Sequence, residues 1–213
     1  MENGKYIVIE GGDGTGKSTQ AEILVERIKQ TGRNATLVEE PGSTDIGYEI
    51  RKIVKDGSLQ RDPLTNLMLF TAGRIELWKQ IIKPSVEEGD WVVSARDWFS
   101  TLAYQGYGEK MDLQLITDFT HDYVSEKYAN PDLSIVLVHN VPEEIQKRMS
   151  ERQTDAEVDY FEETGNINKH TVDDSYKKIA TSLANYAIEI DGSDIIQIHK
   201  KIWKIIEKDF LIE

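Results

Sequence analysis

The chain has 213 residues, a formal net charge of −13, four histidines and no cysteine. That composition excludes disulfides, thiolate zinc sites and a cysteine nucleophile, and argues against a grip on nucleic acid or an anionic membrane, which needs clustered Lys and Arg. The length suits a single domain over 1–213; no stretch reaches the ~18 apolar residues of a membrane span and residues 1–5 offer no signal pattern, so a cytoplasmic location is expected.

Residues 6–9 are apolar and read as a short buried strand, and a helical pattern begins at Lys17. Between them Gly11, Gly16, Lys17 and Ser18 satisfy G-x-x-x-x-G-K-[ST]. Glycines let backbone N–H groups turn toward phosphate oxygens, and the start of the next helix adds partial positive charge. Gly11, Gly12, Asp13, Gly14, Thr15, Gly16, Lys17, Ser18 and Thr19 are therefore the expected ATP site, with Lys17 on the β/γ phosphates and Ser18 a ligand of Mg²⁺. The competing reading is a glycine-rich turn with a chance lysine.

Ala21, Leu24, Val25 and Ile28 mark one face of a helix over 17–30, and 35–38 is a second strand. A Pro-Gly loop over 39–44 leads into a helix at 46–54 that carries Arg51. Asp62-Pro63 predicts a helix start, and 64–82 is apolar on most sides, hence buried or shared with a partner, with a kink expected at Pro84. On it Phe70 and Arg74 stand at i and i+4, on one face; the alternative is a core Phe and a solvated Arg.

Residues 91–93 form a third strand, followed by Ala95 where a phosphate-loop enzyme usually carries a metal-shell carboxylate; Asp97 comes two positions late. A helix is predicted over 111–129, a strand over 133–138 and a helix over 143–152 with Arg148 and Arg152 at i and i+4. The polar segment 153–170 suits a mobile lid, rooted at 148, rather than plain disorder. A helix over 171–185, a strand over 187–190 and a helix striped by Ile195, Ile198, Ile202 and Ile205 complete an α/β chain, a parallel sheet with helices on both faces. His121, His139, His170 and His199 are scattered, none at metal-ligand spacing, and each reads as satisfied or solvated.

One lysine and one ion suffice for a nucleoside triphosphate, so arginines in three other segments point to a second phosphate facing the first. A phosphate acceptor is already an anion at pH 7 and needs no general base; alignment and charge neutralisation carry the catalysis. The cradle interior, Gly12 to Thr15, holds no cation, so Lys17, Mg²⁺, Arg96 and the lid-root Arg148 and Arg152 are the catalytic candidates.

Four motifs together resemble the thymidylate kinase family: residues 10–19; Glu40-Pro41-Gly42-Ser43-Thr44 with Ile50-Arg51; Phe70-Thr71-Ala72-Gly73-Arg74; and Arg96 with Ser100-Thr101-Leu102-Ala103-Tyr104-Gln105. The resemblance implies the P-loop nucleoside monophosphate kinase fold with five parallel strands, transfer from ATP to dTMP, and a homodimer through apolar helices. It further implies that Arg51 and Arg96 hold the dTMP phosphate and that Asp13 meets the 3′-hydroxyl or the phosphate side. Phe70 would stack on thymine, with Arg74 on its O4 and Glu40 in the same site. Ser100, Thr101 and Gln105 would line the base pocket, and Tyr104 would pack under the sugar. The uncharged cradle and arginine-bearing lid look like the bacterial type. The chain departs from the family at Ala95, where Asp is usual, at Tyr160, in place of a lid arginine, and at Ser43, a frequent glycine. A kinase for dUMP, a modified pyrimidine monophosphate or a nucleoside, a nucleotide-dependent switch, and a catalytically silent relative are the alternatives.

Overall fold

The computed structural model describes residues 4–141 and 168–211. In chain order its elements are β1 (Lys5–Gly11), α1 (Lys17–Gln30), β2 (Ala35–Glu39), α2 (Asp45–Lys55), α3 (Pro63–Leu77), α4 (Lys83–Glu87), β3 (Trp91–Ala95), α5 (Trp98–Thr101), α6 (Leu113–Phe119), α7 (Glu126–Ala129), β4 (Leu133–Val138), α8 (Lys169–Ser182), β5 (Tyr186–Glu189) and α9 (Ile195–Ile206). The five strands are all parallel, in the order β2-β3-β1-β4-β5. Since β1 is central and the chain moves to its other side at β4, the carboxyl ends of β3, β1 and β4 flank one crevice, the usual ligand position in such sheets.

The sheet's two faces come directly from strand alternation. Tyr6, Val8, Val92, Val136 and Val138 join one apolar cluster, with Leu67 and Leu77 of α3, Trp98 and Phe99 of α5, and Val172, Tyr176 and Ile179 of α8. Ile7, Ile9, Val93, Ile135 and Leu137 join the other, with Leu24 and Ile28 of α1 and Ile198, Ile202 and Ile206 of α9. With both faces covered, the central strands β1, β3 and β4 are almost wholly buried and mostly apolar, whereas the edge strands β2 and β5 are partly exposed.

Most predicted elements are present with small shifts of boundary, and four differ in substance. Pro84 does not end the long helix. Having no N–H for the carbonyl of Gln80, it is accommodated by a π-helical turn over Trp78–Ile82, with the Lys83 N–H bonding the Trp78 carbonyl, and the helix runs on through α4. After β3 a short helix forms where none was assigned: Asp97 caps α5, which widens into a π-helical stretch over Leu102–Gly108. The single helix expected over 111–129 is interrupted at Ser125, whose extended backbone and hydroxyl, accepting from Lys127 N, start α7 anew. Asn168 caps α8, so 169–170, the last residues of the segment expected as a lid over 148–170, open a helix. The rest of that lid, the helix expected over 143–152, and Arg148, Arg152 and Tyr160 lie outside the described residues.

Arg61 fixes the end of α2 against α3. Its Nη1 donates to the carbonyls of Ile53, Asp56 and Leu59 at 2.8, 3.1 and 2.9 Å, Nη2 to that of Val54 at 2.8 Å, and Nε to Asn66 Oδ1 at 2.9 Å. Ile53 and Val54 lie in the last turn of α2 and Asp56 and Leu59 just beyond it, and a planar guanidinium reaches several such carbonyls at once better than an ammonium. We expect Arg61→Ala to lower stability by about 1–2 kcal/mol in urea denaturation and Arg61→Lys to recover only part of it. An unchanged urea midpoint would mean that water replaces these bonds at no cost.

Candidate active site

The loop after β1 has the geometry of an anion cradle. At Gly11 a Cβ would lie 2.6 Å from the carbonyl oxygen of Leu137, so only glycine lets the loop start this close to β4. Gly16, at φ +86, is the N-cap of α1 and supplies no side-chain bond, which leaves the first-turn N–H groups unclaimed by a capping side chain. Lys17 is buried and folds back, its Nζ donating to the Gly12 carbonyl at 3.1 Å and to Asp13 Oδ1 at 3.2 Å. Thr15 Oγ1 donates to the same carbonyl at 2.8 Å, while Ser18 is exposed at the start of α1.

Across the cleft, Arg96 follows β3 with φ +83, a left-handed conformation uncommon outside glycine. It is held there by its N–H to the Ile9 carbonyl at 3.1 Å and by Ser94 Oγ donating to its own carbonyl at 2.6 Å. Its guanidinium bonds Asp13 Oδ1 and, at 3.1 Å, Ser100 Oγ. Tyr104 donates to Asp13 Oδ2 at 2.7 Å. Asp13, Lys17, Arg96, Ser100 and Tyr104, spread over three segments, thus form one network around Asp13.

The charges follow from that arrangement. Burial pushes the Asp13 carboxyl up, but Arg96 and then Lys17 hold it well below the usual carboxylate range. Burial, and next the charge of Arg96, bring Lys17 down to about 8, with Asp13 and Glu10 acting against the drop.

A second group lies deeper. Arg74, 4 % exposed, donates from Nε to Glu40 Oε2 at 2.8 Å and from Nη2 to the Asp97 carbonyl at 3.0 Å. Its guanidinium carbon is 5.8 Å from the ring centroid of the half-buried Phe70. Glu40, itself buried, spends its other oxygen on the Tyr128 hydroxyl at 2.5 Å, so it stands behind Arg74 instead of facing the cleft. Arg51 is tied to the loop after β2, donating to the Pro41 carbonyl at 2.8 Å. Ser43 in that loop adopts φ +64, which explains why glycine suits the position; its hydroxyl compensates by accepting from Glu39 N at 2.9 Å. Thr101 and Gln105 are almost fully buried, and the Gln105 Nε2 makes no hydrogen bond of good geometry although it faces Glu109.

Two participants were not singled out from sequence. Tyr128 carried no motif. Glu10 closes an apolar strand on the same face as the core residues Tyr6 and Val8, and a carboxylate at such a position is the signal that marks it; it is fully buried and bonds the start of α5.

Metal ligands are sparse. Among the described residues no group of three His, Cys, Asp or Glu side chains is placed to hold an ion. Ala95 is buried at the end of β3, and Asp97 does not take over from it. Asp97 is fully buried, with Oδ1 accepting from Phe99 N at 2.8 Å, and burial followed by the charge of Glu10 raises its carboxyl well above the ordinary range. Among the described residues the exposed Ser18 hydroxyl beside the cradle fits Mg²⁺ carried in by a polyphosphate that keeps most of its own ligands. The histidines divide. His121 pairs with Glu126 at 2.6 Å and His170 is exposed, but His139 and His199 are buried without a hydrogen bond. His139 Nε2 lies 3.4 Å from Asp173 Oδ1 without hydrogen-bonding geometry, so the reading of every histidine as satisfied or solvated does not hold.

On the expectation that the protonated lysine holds a bound polyphosphate, MgATP affinity should be level below pH 7 and weaken above pH 8, approaching about tenfold per pH unit. In Asp13→Asn, which removes a group that keeps Lys17 protonated, the decline should begin at lower pH. Equilibrium titrations from pH 6.5 to 9.5 check both; a flat profile would show that Lys17 remains charged throughout.

The thymidylate kinase family model matches residues 9–202. The chain is 34 % identical over 215 aligned positions to thymidylate kinase of Prochlorococcus marinus strain NATL1A, covering 96 % of this chain and 98 % of that one. It is also 34 % identical to the Wolbachia pipientis enzyme, covering 95 % and 96 %. The crystal structure of thymidylate kinase from Ehrlichia chaffeensis superposes with a TM-score of 0.73 at 29 % identity, over 96 % of this chain and 99 % of that one. Thymidylate kinase from Candida albicans shares the fold, with a TM-score of 0.74 at 24 % identity over 99 % and 94 %. With a phosphate cradle, a facing arginine and these relationships over nearly its whole length, the chain belongs to the thymidylate kinase family.

Proposed function

We propose that the cleft between the cradle and Arg96 carries out the family reaction, transfer of the γ-phosphoryl group of ATP to dTMP giving dTDP, by alignment and charge neutralisation without a general base. The observation that carries this reading is the Asp13 network, which places a cradle lysine and an acceptor-side arginine on one carboxylate. Nucleotide phosphates are the natural competitors for both cations. Lys17 and the first-turn N–H groups of α1 receive the donor polyphosphate; Arg96, helped by Arg51, receives the acceptor phosphate, whose oxygen attacks as an anion. Mg²⁺, with Ser18 as its protein ligand, would supply further charge neutralisation on the polyphosphate.

Phe70 offers a stacking plane for thymine. Arg74 has Nε and Nη2 engaged, which leaves Nη1 for the thymine O4, and Glu40 with Tyr128 sets its angle. Gln105, whose amide lacks a good protein acceptor, and Ser100 and Thr101 close the base pocket. Tyr104, bonded to Asp13, lies beneath the sugar with Asp13 near its 3′-hydroxyl. From sequence alone, Arg148 and Arg152 serve the transferring group from a lid of the bacterial type, in a single-domain enzyme of the cytoplasm.

We further propose a homodimer. Leu64 and Met68 of α3 are 40 % and 52 % exposed, with Tyr48 of α2 at 47 % and Leu115 of α6 at 37 %. Such apolar exposure on neighbouring helices suits a second copy.

Purified protein with MgATP should release ADP with dTMP at a kcat/KM at least about tenfold above that with dUMP, dCMP, dGMP or UMP, and thymidine should be a poor acceptor. Arg74→Ala should erode that preference. Equal turnover of dCMP and dTMP would remove the thymine assignment of Phe70 and Arg74. In sedimentation at micromolar concentration the protein should be a dimer and Met68→Glu a monomer; a monomeric wild type would refute the interface.

A further inference from the structure

Glu10 stands at the carboxyl end of β1, fully buried, and none of the roles above uses it. Its Oε1 accepts from Asp97 N at 2.8 Å, Ser100 N at 3.1 Å and Ser100 Oγ at 2.6 Å. Its Oε2 accepts from Gly11 N at 2.9 Å and from the Tyr176 hydroxyl at 3.2 Å. That hydroxyl is also 3.0 Å from Ser100 Oγ. One carboxylate therefore joins the first residue of the cradle, the start of α5 and helix α8.

A buried carboxylate is costly, and capping a four-residue helix would not require one. Asp97 already caps α5 through Phe99 N. The position of the bonds gives a better reason. Arg96 is the residue in the left-handed conformation, and such backbone persists only where the surroundings over-determine it. Here the residue before Glu10 holds Arg96, through the Ile9 carbonyl, and Glu10 holds the next two anchors, Asp97 N and the Ser100 that contacts the Arg96 guanidinium. The charge of Glu10 also favours the protonated forms of Lys17 and Arg96.

We propose that Glu10 is a positioning residue for phosphoryl transfer: from the end of β1 it locks the Arg96 turn and Ser100 to the cradle, so that the donor-side and acceptor-side cations keep one spacing, and Tyr176 of α8 completes the lock. The inference rests on the assignment of Arg96 to the acceptor phosphate.

The test is Glu10→Gln. All five bonds to the carboxylate come from donors, so the isosteric amide must turn its NH₂ toward either the α5 pair or Gly11 and Tyr176. Tyr176→Phe, which deletes a single hydroxyl, provides the decision should Glu10→Gln fail to fold. Glu10→Gln is expected to lower kcat about tenfold or more and to raise KM for dTMP, while ATP affinity by equilibrium titration changes less than about threefold. Tyr176→Phe should act in the same direction by about threefold or more. Combined with Arg96→Ala, Glu10→Gln should add little to the loss from Arg96→Ala alone, because it acts through that residue; a role confined to folding would lower the melting temperature and add its kinetic loss in full. Folded Glu10→Gln with wild-type kcat and KM, or full additivity with Arg96→Ala, would overturn the proposal, as would wild-type kinetics in Tyr176→Phe if that variant alone folds. Should Arg96→Ala itself leave dTMP kinetics unchanged, the acceptor-phosphate assignment fails, a result distinct from the failure of Glu10.

Discussion

Two cations, Lys17 and Arg96, share one carboxylate, and Asp13 is what lets them stand together. Lys17 and Arg96 come from different strand ends, and burial followed by the charge of Arg96 lowers Lys17. Both reach Asp13, which sits between them as a carboxylate kept ionised by the two positive charges around it. Neutralising the pair internally lets it be built in a partly buried place, where a later phosphate meets preformed charge instead of having to assemble it.

Behind that cluster the structure spends buried polar groups on geometry more than on stability. The Glu40–Arg74 pair is almost wholly removed from water, a situation in which Coulomb attraction and desolvation roughly cancel. Burial pushes the Glu40 carboxyl up, and the charge of Arg74 at 2.8 Å and the bond from the Tyr128 hydroxyl act against that rise. What the arrangement secures is direction: Arg74 has two of its nitrogens fixed, one on Glu40 and one on the Asp97 carbonyl, and its guanidinium lies against Phe70. A flexible surface arginine would pay the entropy of ordering when its ligand binds; this one has paid it in folding.

The replacement at Ala95 has a definite local consequence. Asp97 does not take the usual carboxylate's place: it turns inward to cap α5, and burial beside Glu10 disfavours its charged form. Within the cradle Asp13 is the acid, and its oxygens already serve Lys17, Arg96 and Tyr104; Glu10 bonds Gly11 N from behind the loop, and Asp173 of α8 lies beside Gly12.

Local signals were enough for the strands, α1, the capped start of α3 and the cradle, because each depends on residues close in sequence: a run of apolar side chains, Asp62 before Pro63, glycines at fixed spacing. Family motifs added the remaining members of the cleft. Sequence did not disclose the π-helical turns, which arise when a helix must absorb Pro84 or keep packing across a misfit, nor the break at Ser125. Nor could it disclose partnerships. Glu10 with Ser100 and Tyr176, Glu40 with Tyr128, and His139 beside Asp173 join residues from 34 to 166 positions apart, and only the parallel order of the strands brings them within bonding distance. The sequence by itself determined which chemical groups are available and the loop that receives phosphate; the tertiary structure decided which of those groups face the cleft and which stand behind them, because burial and hydrogen-bond partners are properties of the packed sheet and not of any one segment.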